Sequence, residues 1–141
     1  MNRAGYQVAV VTNQSGIGRG LFAIEALHAM HQKMHHLLSQ LGGHIDAVLF
    51  CPHKPDEGCP CRKPSPGLLL QLADRLSVDL RGVPFVGDSL SDIHAATQAG
   101  ASPIIVRTGK GENTLRMHDN LPASLQVFDN LAAFAEHLTG A

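Results

Sequence analysis

The sequence has no surplus of basic charge, no long hydrophobic run, no repeat and little cysteine. Eleven basic residues stand against twelve acidic ones in 141, for a net charge of -1. No overall positive field therefore draws the chain to nucleic acid or to anionic lipid. No stretch approaches the ~20 apolar residues that a membrane-crossing helix needs. Met1-Asn2-Arg3-Ala4-Gly5-Tyr6 runs straight into a strand pattern and lacks the apolar core of a signal peptide. These absences point to a cytoplasmic protein with neither a nucleic-acid nor a membrane partner. Without low-complexity tracts or linkers, one domain is expected, and 141 residues suffice to bury a core. The three cysteines, Cys51, Cys59 and Cys61, fall close together. An odd, clustered set in a cytosolic protein reads as metal ligands before disulfides.

What is present is an alternation of strands and helices. Val8 to Val11 is a short, mostly β-branched run without polar alternation, as in a parallel strand buried on both faces. From Ala23 to Leu41 the residues Ile24, Leu27, Met30, Met34, Leu37, Leu38 and Leu41 recur at spacings suited to an amphipathic helix, which Gly42-Gly43 would end. Ala47 to Phe50 reads as a second strand. After a Pro- and Cys-rich loop, Ser65-Pro66 supplies an N-cap and first helical position for a helix to about Leu76. Val83 to Val86 is a third strand, Ser91 to Ala99 a helix closed by Gly100, and Ile104 to Val106 a fourth strand. Gln126 to Phe128 is a short fifth, followed by a helix from about Asn130 to Leu138. This rhythm predicts an α/β fold with a mainly parallel sheet. Chemistry in such sheets gathers at the carboxyl ends of the strands.

Four polar segments lie at or near those ends. Thr12-Asn13-Gln14-Ser15-Gly16-Ile17-Gly18-Arg19-Gly20 follows the first strand, where Thr12 offers a hydroxyl and an N–H to an anion and the glycines allow close backbone approach. Alone it is a weak signal, without the spacing of a dinucleotide fingerprint or a P-loop. Cys51, His53, Cys59 and Cys61 make a Cys₃His set that matches a closed, structural zinc site with no open position for water. Arg62-Lys63 places two cations just before a helix, where Lys63 could neutralise a phosphoryl group or simply be solvated. Asp88 and Asp92, four apart at a strand-to-helix turn, offer hard oxygens to Mg²⁺, although Asp92 could instead cap the helix. His28, His31 and His35 could share one helical face, but Gln32 and Lys33 beside them favour a solvated face over a metal site.

Taken in order, Thr after the first strand, Lys before a helix, and Gly87-Asp88 followed by Asp92 after the third strand resemble the haloacid dehalogenase (HAD) phosphatase superfamily. Within it, the segment at 12–20 and the run Cys51-Pro52-His53 … Cys59-Pro60-Cys61-Arg62-Lys63-Pro64-Ser65-Pro66-Gly67 are similar to the D-glycero-D-manno-heptose 1,7-bisphosphate phosphatase group. The resemblance implies a Rossmann-like three-layer fold and a Mg²⁺-dependent, cytoplasmic, monomeric enzyme acting on a small sugar phosphate. It implies an aspartate nucleophile, an aspartate two residues later as acid and base, and largely electrostatic catalysis. Thr12 would bond the phosphoryl oxygens, Lys63 would balance their charge, Asp88 would ligate magnesium and Asp92 would support the metal shell. Asn13, Arg19 and Arg62 would contact substrate, and the zinc loop would shape the pocket.

The departure from the group is that no Asp-x-Asp occurs anywhere in the 141 residues. The expectation is therefore of an N-terminally incomplete domain lacking a central strand and its nucleophile, roughly one βα unit, with little or no activity as it stands. Histidinol-phosphate phosphatases share the zinc pattern and polynucleotide 3′-phosphatases the Gly-rich segment. Arg19-Gly20 favours the heptose group over the former, and the absence of a basic surface argues against the latter. A non-enzymatic zinc-binding module is the reading from a different class.

Overall fold

Two parallel sheets organise the chain. The structure is a computed structural model that describes residues 5–13, 24–51, 59 and 63–140. The chain divides into two compact units, Met1–Arg62 and Lys63–Ala141. The sequence pattern suggests one mainly parallel sheet; among the described residues the strands form a two-stranded and a three-stranded sheet instead.

In the first unit, β1 (Ala9–Asn13) pairs in parallel with β2 (Ala47–Cys51), from Ala9 opposite Ala47 to Asn13 opposite Cys51. Parallel neighbours need a crossover, and helix α1 (Ile24–Gln40) lies between them in sequence. Backbone and side chain of Asp46 fasten the strand starts: Val8 N–H donates to Asp46 Oδ2 at 2.7 Å, and Asp46 N–H to the Val8 carbonyl at 2.7 Å. Along β2 the buried residues alternate as Ala47, Leu49 and Cys51.

Helix α1 packs on a narrower stripe than its apolar spacing suggests. Leu27 is buried and His31, Met34 and Leu38 are half-buried, whereas Met30 and Leu37 are each 50% exposed and Leu41 is 79% exposed. His31 lies on the packed stripe, its ring edge-on to Phe50 at 6.0 Å. Burial, followed by the neighbouring His28 and His35, holds the His31 pKa below its ordinary 6.5. The helix ends as expected at Gly42, whose φ of +77° is the left-handed conformation that glycine adopts without steric cost.

The second unit holds α2 (Gly67–Leu76), β3 (Pro84–Gly87), α3 (Leu90–Ala99), β4 (Ser102–Val106), α4 (Gly111–Met117), β5 (Gln126–Phe128) and α5 (Leu131–Thr139). Its sheet runs β3-β4-β5, all parallel. Central β4 buries Ile104, Ile105 and Val106 in succession, as a strand covered on both faces must. The unit also buries Leu68, Leu69 and Leu72 of α2, Ile93, Ala95 and Ala96 of α3, and Phe134 of α5, whose ring meets Phe128 of β5 at 5.5 Å. The expected start of α2 shifts by a residue: the helix opens at Gly67, with Pro66 in the cap position and no side-chain cap bond. Helix α4 has no counterpart in the sequence expectation. Seven residues opening on glycine are too few to show an apolar period. Among the described residues no helix is long and apolar enough to cross a membrane.

Candidate active site

Strand β3 delivers Gly87 and Asp88 at its carboxyl end, and the chain turns at once into α3. Ser89 caps that helix, its Oγ accepting from the Asp92 N–H at 3.4 Å. Asp92 returns the bond as a capping box. Its Oδ2 accepts from the Asp88 N–H at 3.1 Å, the Ser89 N–H at 3.2 Å and the Ser89 hydroxyl at 3.0 Å. Three donors converge on one oxygen because β3 ends in glycine: a Cβ at Gly87 would overlap the Asp92 carboxylate.

The other oxygen, Asp92 Oδ1, is buried and among the described residues accepts no hydrogen bond of ordinary geometry, but it lies 2.7 Å from Lys63 Nζ. The two side chains are only 14% and 9% exposed. A charge in such a place is tolerable only when paired, since removal from water costs several kcal/mol per ion. The ammonium also lies over the Phe85 ring, 6.0 Å from its centre, a favourable cation–π placement. Lys63 is thus held as a fixed cation at the end of β3, whereas isolated lysines are usually solvated.

Asp88 is anchored differently. Its Oδ2 accepts the Lys110 N–H at 2.9 Å, and its backbone carbonyl accepts the Thr114 hydroxyl at 2.8 Å. Among the described residues Oδ1 carries no hydrogen bond, which leaves one hard oxygen on a positioned carboxylate. That donor suits a divalent cation of the magnesium type. Neither Lys110 nor Thr114 was anticipated from the sequence. The signal available was Thr108-Gly109-Lys110-Gly111, a second Gly-rich turn at a strand end.

In the first unit Thr12 and Asn13 sit at the carboxyl end of β1, in register with Phe50 and Cys51. The Thr12 hydroxyl lies 3.4 Å from the Asn13 carbonyl, to which it donates. Cys51 is fully buried, and its sulfur lies 3.3 Å from that of Cys59, a non-bonded approach. Among the described residues no three His, Cys, Asp or Glu side chains converge on a metal position. Arg19, His53, Cys61 and Arg62 lie outside the described residues. The expected site residues that the structure brings together are thus Lys63 with Asp92, Asp92 with the Asp88 backbone, and Cys51 with Cys59.

Known proteins are similar to this chain in sequence and fold. Residues 60–134 match the family model of HAD-hydrolase-like proteins. The D-glycero-β-D-manno-heptose-1,7-bisphosphate 7-phosphatase of Bordetella bronchiseptica is 51% identical over 138 residues, covering 98% of this chain and 76% of the relative. The protein of the same name from Pseudomonas putida is 48% identical over 98% of this chain and 78% of its own length. A crystal structure of the B. bronchiseptica D,D-heptose 1,7-bisphosphate phosphatase, complexed with magnesium and phosphate, is similar with a TM-score of 0.95, over 99% of this chain and 77% of that one. The corresponding phosphatase from Burkholderia thailandensis has a TM-score of 0.78 at 43% identity, over 99% and 79% of the two chains. With half of its residues shared across nearly its whole length, and a carboxylate and a cation fixed at the end of β3, the chain belongs to the heptose-1,7-bisphosphate phosphatase family of HAD-like hydrolases.

Proposed function

We propose that this chain is the metal- and phosphate-handling part of a magnesium-dependent phosphatase acting on a small sugar bisphosphate, D-glycero-D-manno-heptose 1,7-bisphosphate. What supports the reading most is the pairing of Asp88, with one oxygen held and one available, and Lys63, a half-buried ammonium oriented by its ion pair. Magnesium, when bound, would neutralise charge on the phosphoryl oxygens, and Asp88 is the residue that would hold it. Asp92 supports that ligand, since its own oxygens already face the Ser89 turn and Lys63. Lys63 meets the phosphoryl charge without reorganising, the condition under which fixed cations lower a barrier most. Thr12 offers its N–H and hydroxyl at a strand end to phosphoryl oxygens, and Asn13, Arg19 and Arg62 serve as substrate contacts.

Zinc belongs to the same proposal. Two thiolates bound to one tetrahedral zinc at ~2.3 Å each stand ~3.8 Å apart. The 3.3 Å approach of Cys51 to Cys59 is close to that, and His53 and Cys61 complete a Cys₃His set in sequence. The ion would stiffen the loop and take no part in the reaction. The protein would act as a cytoplasmic monomer.

No Asp-x-Asp occurs in the 141 residues, so the nucleophile and acid–base aspartate that this chemistry calls for are not among them. The test compares this chain with a longer form that carries such a pair, using the heptose bisphosphate and histidinol phosphate as substrates with and without Mg²⁺. The longer form should release phosphate from the bisphosphate in a Mg²⁺-dependent way while the 141-residue chain stays at background. Robust turnover by the short chain alone would sink the argument about the nucleophile. Preference for histidinol phosphate would replace the substrate, and bound zinc without any hydrolysis by either form would favour a non-enzymatic zinc module.

A further inference from the structure

The β4–α4 turn reaches back across 22 residues of sequence to Asp88, and α4 across 26. Three features of this segment exist only in relation to that one residue. Lys110 gives its backbone N–H to Asp88 Oδ2, and Thr114, itself only 6% exposed, gives its hydroxyl to the Asp88 carbonyl. Gly109 has a φ of +61°, and a Cβ there would run into the same Asp88 Oδ2. The turn is in turn seated on β4: Gly111 is buried, and a Cβ on it would collide with the Val106 carbonyl. Glycine is thus required at 109 by conformation and by space together.

We propose that Gly109, the Lys110 N–H and Thr114 form a clamp that positions Asp88 for its metal, holding Oδ2 so that Oδ1 alone is presented. This deepens the proposed function and rests on the reading of Asp88 as the magnesium ligand. The physical warrant is that a ligating carboxylate which is free to rotate must be ordered each time a cation binds, whereas one already hydrogen-bonded on its far oxygen is not. None of the three clamp residues touches the reacting atoms, so they are positioning residues. Their signature is in divalent-ion affinity.

The experiment uses the longer form that carries an Asp-x-Asp pair, with Mn²⁺ binding read by electron paramagnetic resonance beside the KM for Mg²⁺ and kcat at saturating Mg²⁺. Gly109→Ala and Thr114→Val should each weaken Mn²⁺ binding by about 10- to 100-fold, the range for lost outer-shell partners of a metal ligand. They should raise the KM for Mg²⁺ in proportion and change kcat at saturating Mg²⁺ far less. Thr114→Ser, which keeps the hydroxyl, should bind Mn²⁺ like the parent. Circular dichroism separates folded from unfolded variants. Should Gly109→Ala fail to fold, Thr114→Val, which keeps the shape of the side chain, decides. Folded Thr114→Val with parental Mn²⁺ affinity overturns the clamp while leaving Asp88 as ligand, provided Asp88→Asn has lost the ion. If Asp88→Asn still binds Mn²⁺ as the parent does, the reading of Asp88 falls and the clamp with it.

Discussion

Helices α1 and α2 use their apolar residues in opposite ways. The 17-residue α1 buries one side chain, Leu27, and leaves Ile24, Met30 and Leu37 between 41% and 50% exposed. The 10-residue α2 buries three, Leu68, Leu69 and Leu72, and exposes only Leu70 among its leucines by a comparable amount. Both helices carry an apolar pattern of helical period, so pattern alone does not separate them. The difference follows what the described residues of each unit provide to pack against: a two-stranded sheet in one, a three-stranded sheet with further helices in the other. Two strands present too little surface to cover a broad stripe. A narrow stripe through Leu27, His31, Met34 and Leu38 is what that surface covers. The polar groups follow the same division. In the second unit buried Asp92 is paired with half-buried Lys63, and Thr114 is buried and bonded, whereas the described polar contacts of α1 are local and exposed, such as Ser39 to the His36 carbonyl.

The largest expected effect would sharpen that contrast. Lys63→Met leaves Asp92 Oδ1 buried without a counter-charge, which should cost about 3–5 kcal/mol of unfolding free energy in a urea titration. A loss below about 1 kcal/mol, the value of an exposed pair, would erase the distinction between the units' polar groups. Next, Leu27→Ala should destabilise by about 2–5 kcal/mol, as buried leucines do, while Leu37→Ala on the same helix should stay within about 0.5 kcal/mol. Equal costs at the two positions would mean that α1 packs more broadly than described. The smallest effect concerns pH. Burial lowers the His31 pKa below 6.5, so the unfolded chain takes up the proton more readily than the folded one. The His31 contribution is therefore present above pH 6.5 and is lost as pH falls below that value through the lowered pKa of the folded state. Melting temperatures between about pH 7.5 and about pH 5.5 should fall more steeply for the parent than for His31→Gln. Parallel slopes would show that His31 titrates as it does in the unfolded chain.

Much of the site was legible because its chemistry is written in short local signals. Glycine then aspartate after an apolar run marks a strand end, and Asp92 at the start of the next helix reads as a cap or a metal-shell carboxylate. The segment at 108–111 carried the same kind of signal, but no periodicity led to α4, so Thr114 could not be connected with Asp88. A bond across 26 residues has no trace in local spacing.

The residues by themselves determined the order of the strands and of every helix but α4, and the family, because composition and period act over a few neighbours. Tertiary structure alone decided which face of α1 is covered, which Asp92 oxygen meets Lys63, and which groups hold Asp88, because these depend on groups far apart in sequence competing for the same small volume.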